Sequence, residues 1–221
     1  MSAFWTDTYQ FHFQHYFNKP FDIQVYHGPD GAALKLATYD WARQGFRIYA
    51  SMGLADRLLQ KETEVFGEVI LFSDVADKEV PQLFVNALFF ILQHDIPLGS
   101  RFAIGFSAMD DEFSRRYGKA ALYITRPSDE DEEFAEVEKG EALGRVFQAY
   151  FITPEEDEFL EKNGADAFEE AFWKQFGDEL TEDERCDLAI DKAKAHDLEE
   201  KMQERQRRAS KALSVRRASC V

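Results

Sequence analysis

Apolar residues recur at three- and four-residue spacing through residues 2–17, where Trp5, Tyr9, Phe13 and Tyr16 would line one face of a helix. Ser2 or Thr6 offers a cap, and Asn18-Lys-Pro20 closes the segment. The period then shortens to two. Residues 21–26 and 33–39 read as strands of a hairpin around the turn signal His27-Gly-Pro-Asp-Gly31. Residues 45–51 and 64–73, rich in β-branched and aromatic side chains, predict two more strands. A helical period returns over residues 78–93, headed by Pro81, with Phe84, Leu88 and Ile91 on one face.

Past the loop at His94-Asp-Ile-Pro-Leu-Gly99, residues 101–106, 119–125 and 145–152 read as strands. Between the last two lies a polar segment that carries Asp129-Glu-Asp-Glu-Glu133 and runs to Glu141, expected as a solvated loop. Thr153-Pro-Glu-Glu156 is a helix start with acid in its first turn. Asn163-Gly164 ends that helix and residues 165–176 begin another. From Thr181 the pattern becomes a charged helix that grades into a basic tail. The expected fold is therefore α+β: a mixed, largely antiparallel sheet of about six strands packed with helices. Residues 1–180 form the domain, and 181–221 form a charged helix and a disordered tail.

Composition changes this picture in two ways. The chain has 221 residues, 45% of them hydrophobic, with 21 Phe, so a sizeable core is expected. The net charge is −16, but residues 201–221 contribute +6 and the preceding body −22. Such a body is repelled by nucleic-acid phosphates and anionic membranes, and its natural complement is a basic protein. The plainer reading is that surplus acid keeps the chain soluble. No apolar run approaches the length of a membrane span, and the N-terminus lacks the basic and apolar regions of a secretory signal. The two cysteines, Cys186 and Cys220, suggest no disulfide framework. A cytoplasmic location is the expectation.

Candidate chemistry is sparse, and neither a cofactor nor an enzymatic activity is expected. His12 and His15 share a helix face, which could bind metal weakly, but no Cys or acidic ligand accompanies them, so a surface or half-buried pair is expected. Ser51 and Ser107 lack a nucleophile-elbow context. Glu68 sits in an otherwise apolar strand. It reads either as a binding-site or pKa-shifted acid or as an edge or strand-start residue with its head in water. Asp56, three residues past Gly53, would cap the short turn that it begins. Candidate partner-binding residues are Glu68, Asp56 and the run Asp129, Glu130, Asp131, Glu132 and Glu133. Arg-Arg-Ala-Ser occurs twice in the tail, and a disordered extension with no reader is the expectation for it.

Five pieces stand in collinear order over about residues 20–175. They are the strand and turn Phe46-Arg-Ile-Tyr-Ala-Ser-Met-Gly-Leu-Ala-Asp56, the strand Phe66-Gly-Glu-Val-Ile-Leu-Phe72, and the helix Pro81-Gln-Leu-Phe-Val-Asn-Ala-Leu-Phe-Phe-Ile-Leu92. Leu98-Gly-Ser-Arg-Phe-Ala-Ile104 and Val146-Phe-Gln-Ala-Tyr-Phe-Ile-Thr-Pro-Glu-Glu-Asp-Glu-Phe159 follow. In this order and spacing the chain resembles the suppressor of fused domain. That resemblance implies a non-enzymatic protein-binding module, in a bacterial-type single-domain form linked to immunity proteins that neutralise toxins. Two departures limit it. Gly53-Leu54-Ala55 stands where the family often has Gly-Leu-Ser or Gly-Met-Ser, and a helix and tail stand where the animal member has a second, clasping lobe. The alternative function is a regulatory adaptor that recruits a partner peptide by strand addition at a sheet edge.

Overall fold

The structure, a computed structural model, describes residues 5–28, 31–41, 46–73, 78–105, 117–127 and 132–176. Its frame is an eight-stranded mixed sheet. Strands β1 (Asp22–His27) and β2 (Ala33–Trp41) form the expected hairpin, and β3 (Phe46–Met52) and β4 (Gly67–Ser73) continue it antiparallel. The long β8 (Ala142–Ile152) lies parallel to β4, and β6 (Ala121–Thr125) and β5 (Phe102–Gly105) complete the order β1-β2-β3-β4-β8-β6-β5. Val69, Ile70 and Leu71 are fully buried, as a central strand covered on both faces requires.

Beyond the seven strand segments read above, the structure adds β7 (Glu136–Lys139), which pairs with the start of β8 through a two-residue turn at Gly140 and Glu141. A solvated loop was expected there. Only Val137 faces the core while Glu136 and Glu138 point outward, so a four-residue strand with one apolar side chain is masked by its charge.

Helix α1 (Trp5–Phe17) buries Trp5, Tyr9, Phe13 and Phe17, one residue per turn. Phe17 meets Tyr39 and Phe72, which places α1 over one face of the β2–β4 region. The pairing registers put Tyr123 and Tyr150 on that same face, where Phe168 and Phe172 of α6 (Ala165–Phe176) cover them. Helix α3 (Glu79–Gln93) buries nine apolar residues, far more than the single stripe expected, and joins the same core as α1 and the central strands. Each fully buried Leu or Phe contributes about 1.5–3 kcal/mol.

Helix α5 (Pro154–Asn163) starts as read: the Thr153 side chain accepts from Glu156 N, and Glu156 Oε2 accepts from Thr153 N at 2.7 Å. Thr153→Ala is expected to cost about 1 kcal/mol, read as a lower urea midpoint with an unchanged slope. No helix among the described residues is long and apolar enough to cross a membrane.

Candidate functional site

The Gly53 turn converges on one carboxylate. Strand β3 ends at Met52, and Gly53, with φ of 103°, turns the chain directly into α2 (Leu54–Gln60). A left-handed φ suits glycine, which has no Cβ to clash. The turn aims three consecutive amides at Glu68 of β4. Gly53 N and Ala55 N donate to Oε1 at 2.7 and 3.1 Å, and Leu54 N donates to Oε2 at 3.2 Å. Ser51 Oγ donates to Oε2 at 2.6 Å and itself accepts from Val69 N at 2.8 Å. Helix α2 has no side-chain cap of its own. Its free amides are satisfied from the neighbouring strand instead.

Glu68 is completely buried, which overturns the expectation of a strand-start residue with its head in water. Burial pushes its carboxyl up to about 7, against the opposing pull of Ser51 and the three amides. Its four acceptor positions face four protein donors, and the carboxyl exposes no surface to a partner. Tyr9 packs nearby. Its phenol is raised well above the usual range by burial and then by the Glu68 charge, and its hydroxyl donates to Arg145 O at 2.9 Å.

Asp56 was expected to cap the turn that it begins. It caps α1 instead: Oδ1 accepts from Trp5 N at 2.8 Å, and Oδ2 accepts from Thr6 N at 3.0 Å and Thr6 Oγ1 at 2.6 Å. Thr6 is therefore a donor inside α1 and not its cap. Spacing along one chain segment could not reveal this, because donor and acceptor lie some fifty residues apart. Glu68 holds α2 and Asp56, on α2, holds α1, so two carboxylates link the sheet to two helices. Asp56→Ala is expected to cost about 1–2 kcal/mol, with a thermal midpoint lower by several degrees.

Of the acidic run, Asp129, Glu130 and Asp131 lie outside the described residues; Glu132 opens the short helix α4 (Glu132–Ala135), and Glu133 is exposed. The segment is anchored by Phe134, which is buried among Tyr16, Phe17 and His12. His12 Nε2 lies within hydrogen-bond distance of Phe134 O, at 2.9 Å, and its ring stacks on that of Phe134. Cys186, Cys220, Ser107 and both Arg-Arg-Ala-Ser motifs lie outside the described residues. Among the described residues no three His, Cys, Asp or Glu are grouped to hold a metal ion.

Two features depend on contacts that sequence patterns do not carry. Glu169 of α6 accepts from Arg101, Tyr123 and Thr125, which clamps that helix to β5 and β6. At the far end of the sheet, Ile23 and Val25 are exposed on β1, with exposed Phe21 just before it. Their alternation was visible as a strand signal, but nothing in the sequence shows that the apolar face of an edge strand meets solvent.

A family model described as suppressor of fused protein matches residues 30–186. The fold is similar to the crystal structure of a suppressor of fused homologue from Neisseria gonorrhoeae FA 1090. That likeness has a TM-score of 0.58 and 15% sequence identity, and covers 78% of this chain and 91% of the other. Searched against curated proteins, the sequence finds no significant match. With the family model spanning well over half of its length, the chain belongs to the suppressor of fused family.

Proposed function

We propose that this protein is a non-enzymatic binding module for a basic protein, acting as an immunity protein that occludes a toxin. Charge carries the reading: the net charge is −16, and the body before residue 201 accounts for more than all of it. Family membership supports a protein-binding role. The acidic run Asp129, Glu130, Asp131, Glu132 and Glu133 is followed in sequence by Glu136, Glu138 and Glu141, which are exposed on β7 and in the β7–β8 turn. A field of this sign speeds encounter with a basic partner and rejects acidic ones.

The finer assignment is tested by co-expression with a basic toxin encoded beside this gene. Growth is restored by the intact chain under this reading; continued killing at saturating expression defeats it. Reversing Glu133, Glu136 and Glu138 to lysine should slow association about tenfold at low salt while leaving the thermal midpoint in place. An unchanged association rate would remove these residues from the steering field.

A further inference from the structure

We infer that the free edge of β1 is the seat of the partner, which adds an extended basic segment to the sheet as a further strand. This rests on the reading that the partner is a basic protein, and it names the surface and the binding mode. Among the described residues, β1 ends the strand order and no strand pairs with its outer side.

The hairpin shows which backbone groups that edge offers. Gly28 N donates to Ala32 O at 2.7 Å, so Gly28 and Ala32 face one another across the ladder. Counting back by two in the same register, Tyr26, Gln24 and Asp22 also direct their amides and carbonyls toward β2. The backbone N–H and C=O groups of Ile23, Val25 and His27 therefore point outward, a ready template for a new strand.

The two faces of this edge differ in chemistry. Ile23 is 42% exposed and Val25 54%, with Phe21 at 53% beside them. On the other face, Tyr26 Oη donates to Gln24 Oε1 at 2.8 Å, and Gln24 Nε2 donates to Asp22 Oδ2 at 2.7 Å. An added strand meets an apolar row on one side and a polar row ending in a carboxylate on the other. The fitting segment alternates apolar residues with Lys or Arg.

Edge strands are ordinarily blunted by proline, lysine or a buried charge. Asp22–His27 contains neither proline nor lysine. Lys35, opposite Val25, and Arg47, over the Phe21 ring, belong to the inner strands β2 and β3. Charge selects the occupant: a second copy also carries −16 and is repelled, whereas a basic segment is attracted. β1 also precedes residue 30, where the family match begins.

The test uses the full chain and a labelled, end-capped decapeptide of alternating Lys and Val, followed by fluorescence anisotropy. Val25→Pro removes an outward amide while sparing the bonds to β2, so β1 should stay folded. The expected result is saturable binding that Val25→Pro weakens by about tenfold or more, at an unchanged thermal midpoint. A peptide N-methylated at alternate amides should bind equally weakly. If Val25→Pro disturbs folding, Ile23→Lys with Val25→Lys blocks the edge by charge at two exposed positions and should give the same loss.

Equal binding of a Lys-Gly peptide would overturn strand addition, as would undiminished binding by both variants. A dimer in sedimentation velocity that Val25→Pro converts to monomer would assign the edge to a second copy and overturn the proposal. Retained capture of a basic partner protein by the edge variants would defeat this surface but leave the functional reading standing. Failure of the intact chain to capture any basic protein at low salt would defeat both.

Discussion

Glu68→Ala is expected to lower the thermal midpoint by about 10 °C and to cost about 3–5 kcal/mol. Removing the carboxyl strands Ser51 Oγ and the amides of Gly53, Leu54 and Ala55 in a buried space, each without its acceptor. A buried donor left unpaired costs about 1–3 kcal/mol, and partial relaxation of the turn keeps the total below the sum. Because Asp56 sits on the helix that Glu68 caps, the hold on α1 should weaken too, visible as faster amide exchange at Trp5 and Thr6. Loss of partner binding at an unchanged thermal midpoint would instead make Glu68 a contact residue.

The same carboxyl sets a pH dependence. Its folded value, about 7, lies above the ordinary 4.5, so the folded state holds the proton more tightly than the unfolded chain. The stability this adds is complete below the unfolded value and is lost as pH rises through the folded one. The penalty of Glu68→Gln, measured by urea unfolding, should therefore shrink between about pH 4.5 and 7. A penalty that grows with pH would show that the four donors outweigh burial.

Gly67→Ala should rank with the loss of Glu68, at about 3 kcal/mol or more. A Cβ at this position would run into the backbone carbonyl of Arg145 and crowd the Phe147 ring. Here β4 lies against β8, with Arg145 N donating to Phe66 O at 3.1 Å, and a backbone group cannot swing aside as a side chain can. Arg145 O is also the acceptor for Tyr9, so displacing it disturbs α1 as well. Denaturant unfolding reads the effect. A variant as stable as the parent would mean that the close approach of β4 and β8 is not maintained in solution.

What could be read from the sequence follows from how local each signal is. The aromatic period of α1, the Thr153 box and the Asn163-Gly164 stop are written within a turn or two of chain, and the helices form where those signals stand. Strand β7 was hidden because its alternation rests on Val137 alone among glutamates. The roles of Glu68 and Asp56 depend on partners brought close only by the sheet. Apolar alternation at Ile23 and Val25 predicts a strand equally well for a buried face and for an exposed edge; strand order decides between them.

An acidic suppressor of fused module that holds a basic protein must do so with a strong dependence on salt. Affinity capture with the full chain at low salt, followed by titration of the purified binder at about 50 and 300 mM NaCl, addresses it most directly. The expected partner has net positive charge, and its affinity falls by about tenfold or more across that range, mostly through slower association. A partner of net negative charge, or an affinity indifferent to salt, would contradict it.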